Sequence, residues 1–292
     1  MSKVRAGGEL ARLESEFGWT LGEQSEFMDG VRLMDAANPV DGAFADSLHQ
    51  ELRAVEDTSS WFRWRNRLIL KALSAIGLPS ALWEVGAGNG IVAHYLQSHG
   101  VETVAIEPGF EGARLCKKRG VNDVICASLG RLLLPSCSLP AIGAFDVLEH
   151  LAQPNDLVAE MYRVLRPGGL LAVTVPAFGW LWSEADVVSG HYRRYRRREL
   201  CGILTRAGFD VQYASYHFAA AVMPLAVMRS LPWRLGRRRD REVALRDTVR
   251  QVGATCGPIE RLADIVMGVE TGASGHWALP VGTSILVIGR KL

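Results

Sequence analysis

Three groups of residues in this sequence have the types and spacing to do chemistry. The first is the run Trp83-Glu84-Val85-Gly86-Ala87-Gly88-Asn89-Gly90, where glycines crowd one turn. Such a turn reaches positive φ and lets a ligand lie against bare backbone. Downstream, Val104-Ala105-Ile106-Glu107-Pro108 ends in an acidic residue. A carboxylate there can accept both hydroxyls of a ribose, which selects adenosine-type ligands. The second group is Asp186 with His191, flanked by Tyr192 and Tyr195; an imidazole oriented by a carboxylate makes a competent base. The third is His150, in Asp146-Val147-Leu148-Glu149-His150-Leu151. Two roles fit His150: a pocket wall or base, and a helix cap bonded to a backbone carbonyl. For His191 the alternative to catalysis is a polar loop pinned by Arg193 and Arg194.

Other side chains carry weaker chemistry. Phe178, Trp180 and Trp182 could wall an acceptor pocket or simply fill the core. In the run Arg193, Arg194, Arg196, Arg197, Arg198, guanidinium forks suit phosphate and carboxylate. The last three read as a solvated helix face, whereas Arg193 and Arg194 would contact an anionic substrate or fix the loop. A second basic cluster (Arg234, Arg237, Arg238, Arg239, Arg241) follows an apolar run over 218–233. Together, 218–241 would form either a lid packed over the cleft or an interfacial element on an anionic bilayer. The five cysteines, Cys116, Cys126, Cys137, Cys201 and Cys256, form no CxxC pair, and no carboxylates stand at metal-ligand spacing, so no metal is expected.

The elements that must position these groups follow from periodicity. Apolar strands are predicted at Ala81–Val85, Val101–Ile106, Asp123–Cys126, Pro140–Val147, Leu170–Val175, Phe209–Tyr216 and Ser284–Ile288. Helical patterns separate them at Ile91–Ser98, Gly112–Arg119, Leu157–Leu165 and Arg198–Ala207, with Ser60–Ile76 leading. This alternation predicts a Rossmann-like doubly wound α/β fold, a seven-stranded sheet with helices on both faces. Residues 1–60 show helical pattern and turn signals without a clear strand, and read as a helical N-terminal extension or lid. The domain proper would be 61–292, with a helical insertion at 218–280 over the substrate cleft.

Of the 292 residues, 48% are apolar and 22% charged, enough for a substantial core. A net charge of +2 argues against general nucleic-acid binding. The cysteine usage, the polar N-terminus and the lack of a long apolar run predict a cytoplasmic protein. Oligomeric state has no readable signature.

The glycine run resembles the first motif of the class I S-adenosylmethionine-dependent methyltransferases, in which an acidic residue precedes the glycines. Asp146-Val147-Leu148-Glu149-His150-Leu151 resembles the end of their fourth strand, and Leu165-Arg166-Pro167-Gly168-Gly169 the turn into their fifth. The resemblance covers roughly 61–292. More narrowly, the chain is similar to a bacterial subgroup acting on sugars, lipids or secondary metabolites. The similarity lies in a tryptophan-rich helix before the first motif, in residues 176–195, and in Pro280-Val281-Gly282-Thr283-Ser284. It implies S-adenosylmethionine as cofactor, with S-adenosylhomocysteine as product. It places Glu84, Gly86 and Gly88 against the methionine part, Glu107 at the ribose, and Ser128 and Leu129 beside the adenine, with Ala87, Asn89, Gly90, Pro108 and Asp146 also binding the cofactor. The family's acidic residue after the third strand is replaced by Ala127-Ser128-Leu129. Methyl transfer to a small-molecule or lipid-like acceptor, at oxygen, is then expected. His191, His150 and Asp186 would be catalytic, and Trp182, Tyr192, Arg193 and Arg194 would contact substrate. No Asn/Asp-Pro-Pro-Tyr/Phe motif follows the fourth strand, which argues against base methylation. A protein or nucleic-acid acceptor, or a cofactor-binding module without turnover, are the alternatives.

Overall fold

The computed structural model describes residues 8–20, 26–34, 49, 50, 53, 55–237 and 258–292. Helix α1 (Gly8–Phe17) precedes a hairpin of β1 (Glu26–Met28) and β2 (Val31–Leu33). Helix α2 (Ser60–Ile76) leads into β3 (Ala81–Val85), α3 (Ile91–Ser98), β4 (Glu102–Glu107), α4 (Phe110–Arg119), β5 (Asp123–Cys126) and β6 (Leu139–Phe145). Then come α5 (Pro154–Val164), β7 (Leu165–Pro176), the short α6 (Glu184–Val188), α7 (Arg197–Arg206) and β8 (Phe209–His217). After β8 lie α8 (Val222–Leu225), a π-helical turn (Ala226–Ser230) and α9 (Leu231–Arg234); α10 (Pro258–Ala273) and β9 (Ser284–Lys291) close the chain.

The strands form one sheet in the order β1-β2-β5-β4-β3-β6-β7-β9-β8. Strands β5, β4, β3, β6 and β7 are parallel, and β9 runs antiparallel between β7 and β8. Every position of β3 and β6 is buried, the near-continuous apolar reading of strands covered on both faces. Side chains alternate between two helix layers. Trp83, Val85, Val104 and Ile106 face α1, α5 and α7. Leu82 faces α2 and α3, and Ala105 faces α3 and α4.

The sheet has nine strands rather than seven because the N-terminal segment, read from sequence as helical, contributes a hairpin. Its turn is Asp29-Gly30, with φ of 52° and 80°, the pair of positive values a two-residue type I′ hairpin demands and Asp-Gly supplies. β2 pairs in parallel with β5, Arg32 opposite Ile125. At three residues each, the strands are too short for alternation to register.

The long interval before β9 is helical where it is described and is tied to the sheet's rim. The Glu270 carboxylate in α10 accepts the backbone N–H groups of Phe218 and Ala219. Trp64 donates to Asp264 at 2.7 Å, and Ser230 Oγ to the Leu181 carbonyl at 2.8 Å. Arg238, Arg239, Arg241 and Cys256 lie outside the described residues. Among the described residues no helix is long and apolar enough to cross a membrane.

Gly90 is where the turn after β3 meets α4. Its φ is 72°, and a Cβ there would overlap Cys116 Sγ and press on the Cys116 backbone. Gly90→Ala should therefore lose about 2–4 kcal/mol of stability in urea unfolding. Gly130→Ala, where a Cβ meets nothing within 4 Å, should unfold within about 1 kcal/mol of wild type.

Candidate functional site

The carboxyl ends of β3, β4, β6, β7 and β8 converge on one rim, the edge of an open α/β sheet where ligands bind. Three strands turn off it through residues with positive φ that are not glycine: Asp146 (57°) after β6, Phe178 (57°) after β7 and Phe218 (62°) after β8. Such backbone costs on the order of 1–3 kcal/mol each and persists where surrounding structure over-determines it, commonly at ligand sites.

On the cofactor side, Glu107 is buried at the end of β4. Its Oε2 accepts the Gly88 N–H at 2.7 Å and its Oε1 accepts the Gly109 N–H at 2.8 Å. Burial raises its pKa, and these two amides and His49 oppose the rise. Each carboxylate oxygen keeps a further lone pair, so the pair can still take the two hydroxyls of a ribose. The turn fits the same ligand. At Gly86, φ is 70° and a Cβ would sit 2.7 Å from Val147 Cγ2, so the glycine turn lies directly against the Asp146–His150 segment. Asn89 is buried and fixed by the N-terminal segment: its amide donates to the His49 carbonyl at 2.8 Å and to Glu56 at 3.2 Å. Arg119 Nε donates to the Asn89 carbonyl at 2.7 Å, and its guanidinium pairs with Glu56 and Asp57. Ala87 is buried and Pro108 half-buried at the rim.

Arg65, from α2, reaches into the crevice. It contacts Asp146 at 3.2 Å, stacks near Trp61 and opposes the raised pKa values of Glu84 and Glu149. Glu84 is fully enclosed; burial first, despite Arg65, pushes its pKa up to about 8, and its Oε2 has no hydrogen-bond partner among the described residues.

On the opposite side, β6 and β7 bring together residues about forty positions apart in sequence. His191 Nδ1 lies 2.9 Å from Asp186 Oδ1. Asp186 is fully buried and is gripped by Arg194, Nε to Oδ1 at 2.7 Å and Nη2 to Oδ2 at 3.0 Å; it also accepts the Ser183 N–H at 2.8 Å, closing a capping box at α6. Burial opposes ionisation of Asp186, but His191 and Arg194 hold its pKa below the usual value. The Tyr192 N–H donates to the Glu149 carbonyl at 2.7 Å, and Tyr195 Oη to the Leu148 carbonyl at 3.0 Å. These two bonds clamp the loop onto the 148–150 turn. His150 and His191 then meet edge to face, with ring centroids 4.7 Å apart. Burial, then His191, lowers the pKa of His150 to about 4.

The expected site residues divide accordingly. Glu84, Gly86, Gly88, Glu107, Asp146, His150, Asp186 and His191 gather around the rim. Leu129 does not line it: it is 1% exposed within the main core, because the 3-10 turn Leu129–Leu132 tucks inward, leaving half-buried Ser128 at the edge. Arg194 is committed to Asp186, and Arg193 donates to the Ala152 carbonyl at 2.7 Å, so both fix the loop. Tyr192 is 62% exposed and acts here through its backbone; Trp182 is half-buried. Phe178 stacks on Tyr216 with centroids 4.7 Å apart. The fold also brings Glu149, His150 and His191 together, with one ligand atom from each within 4.8 Å of the others. Sequence reasoning also missed His49, Glu56, Arg65 and Arg119. Arg65 left a signal: a charge on the apolar face of α2, in register with Phe62, Ile69 and Ala72.

Glu84 supplies a pH test. Its folded pKa of about 8 exceeds the ordinary 4.5, so the folded state holds the proton more tightly, and stability falls as pH rises between those values. Glu84→Gln should melt near wild type at pH 5 and lead it by about 4 °C at pH 8.5, measured by thermal unfolding without ligand.

Residues 83–173 match the methyltransferase domain family. A probable S-adenosylmethionine-dependent methyltransferase from Mycolicibacterium smegmatis is 26% identical over 183 residues, 61% of this chain and 70% of that protein. A malonyl-[acyl-carrier protein] O-methyltransferase from Enterobacter lignolyticus is 28% identical over 160 residues, 51% of this chain and 61% of that one. Among solved structures, Haemonchus contortus phosphoethanolamine N-methyltransferase 2 superposes with a TM-score of 0.54 at 16% identity, over 85% of this chain and 57% of that one. The family match runs from β3 into β7, and the likeness of fold covers more of the chain. Residues 83–173 thus form a methyltransferase domain, and the chain is an S-adenosylmethionine-dependent methyltransferase by its relatives, with the fold of the class I enzymes.

Proposed function

We propose that this enzyme methylates an oxygen of a small-molecule or lipid-like acceptor. The observation that carries this reading is the His191–Asp186 pair, set beside His150 on the segment that touches the glycine turn. S-adenosylmethionine supplies an electrophilic methyl group on a sulfonium. The chain's residues would then align donor and acceptor and exclude water, since in-line displacement depends on positioning. A hydroxyl acceptor must also lose its proton. A carboxylate only accepts hydrogen bonds, so His191 donates Nδ1–H to Asp186 and keeps Nε2 free to take that proton. Methylation at oxygen is also recorded in the name of the Enterobacter relative. Residues 1–60 and the insertion at 218–280 would shape the acceptor pocket. Contacts of His49 with Asn89, and of Phe218 with Trp61 at 5.8 Å, support that placement.

The first test is binding followed by transfer. Calorimetry should give tighter binding of S-adenosylhomocysteine than of NAD, and Glu107→Ala should weaken it about tenfold or more. With cofactor labelled on the methyl group, label should enter small hydroxyl-bearing compounds of a cell extract. His191→Ala should keep cofactor binding and lose most transfer. Label in protein or nucleic acid instead would overturn the acceptor class.

A lipid-borne acceptor is favoured by one observation: Met223, Val227, Met228, Leu231 and Leu235 are exposed beside Arg234 and Arg237. Apolar residues next to arginines suit an anionic membrane surface. Sedimentation with anionic vesicles should show binding that weakens as salt rises and that Met228→Asp reduces. Absence of binding at low salt would leave this segment as a lid over a soluble acceptor.

A further inference from the structure

We propose that Glu149, His150 and His191 bind a divalent first-row transition-metal ion, leaving open coordination positions for the acceptor's oxygen. The inference deepens the O-methyltransferase reading and rests on it for the identity of the acceptor, but the ion site stands on its own geometry. The three side chains place one ligand atom each within 4.8 Å of one another, a spacing that small movements about one ion would close.

Glu149 is the reason to expect a cation. It is 1% exposed, and both carboxylate oxygens are buried without a hydrogen-bond partner among the described residues. The neighbouring carboxylates are compensated: Asp146 has Arg65 at 3.2 Å, and Asp186 has Arg194 at 2.7 Å. A buried carboxylate aimed at two imidazoles with no partner is costly. A divalent ion would supply that partner.

The surroundings of the histidines fit ligands. The bond from His191 Nδ1 to Asp186, at 2.9 Å, fixes the tautomer and turns Nε2 towards the cluster, the carboxylate–histidine–metal arrangement. His150 is hydrogen-bonded to the Ser189 backbone, which orients its ring as a ligand's ring is oriented by its outer partner. Two imidazoles and one carboxylate favour zinc, iron, cobalt or manganese over magnesium or calcium, which prefer all-oxygen sites. Three protein ligands leave positions open. A hydroxyl entering one of them would lose its proton more readily, because bound oxygen acids are strengthened by the ion.

The test uses the full chain stripped with chelator and titrated with Co2+. One Co2+ per chain should bind with visible d–d absorption and raise the melting temperature, whereas Mg2+ at the same concentration should do neither. Glu149→Gln should weaken Co2+ binding by about tenfold or more while S-adenosylhomocysteine still binds. Asp186→Asn, which loosens His191 and the Arg194-held loop but keeps all three ligands, should weaken it less than loss of a ligand does. His191→Ala provides a second ligand variant if Glu149→Gln is poorly folded. Wild-type protein that binds S-adenosylhomocysteine but takes up no Co2+, Zn2+ or Mn2+ would overturn the ion site and leave the methyltransferase reading intact. Co2+ binding unchanged in both ligand variants would overturn it as well. Co2+ bound by a chain that fails to bind S-adenosylhomocysteine would keep the ion site and remove the activity assigned to it.

Discussion

The buried carboxylate of Asp186 determines where one half of this crevice lies. It has no access to water, so its charge must be met inside the protein, and Arg194, His191 and the Ser183 amide meet it. Each of those partners is thereby fixed. Arg194 also donates to the Ala177 carbonyl at 3.3 Å, which holds the loop to the end of β7. His191 is aimed towards His150, and the bond from the Tyr192 amide to Glu149 closes the arrangement. Without a neutralised Asp186 the loop after β7 would have no reason to lie across the 148–150 turn. The residues about forty positions apart would not meet.

The cofactor half uses a different solution to the same problem. Glu107 is met by backbone amides rather than by a cation, which leaves its oxygens able to accept more hydrogen bonds. Arg65 serves the space between the halves. It pairs with Asp146 and moderates Glu84 and Glu149, so one cation stands among three carboxylates.

Much of this was legible in the sequence, and the boundary has a physical explanation. The central strands and helices declared themselves through long apolar periodicity, and Ala81–Val85, Ile91–Ser98 and Asp123–Cys126 fall where the pattern placed them. The glycine turn, Glu107 and the pairing of His191 with Asp186 are local patterns, readable from spacing alone. The β1–β2 hairpin was missed because three-residue strands carry no period, although Asp29-Gly30 was the signal for its turn. Leu129 was misplaced because a motif position does not state which way a 3-10 turn folds. Glu149 stood in plain view beside His150. Its isolation depends on the absence of a partner, and no sequence records which carboxylates a fold leaves uncompensated.

The two roles available to His191 differ in what they ask of Glu149. If His191 acts only as a base, Asp186 and the Nε2 lone pair are explained, but the Glu149 carboxyl beside it is left without a hydrogen-bond partner among the described residues. If Nε2 is a ligand, the same tautomer, the same Asp186 bond and the oriented His150 all serve one purpose, and Glu149 acquires a partner. The acceptor hydroxyl, made more acidic by the ion, would then pass its proton to solvent water on binding, and Asp186 would act by orienting a ligand rather than by strengthening a base. One arrangement of side chains thus accounts for every buried charge on this side of the crevice only when a cation is counted among them.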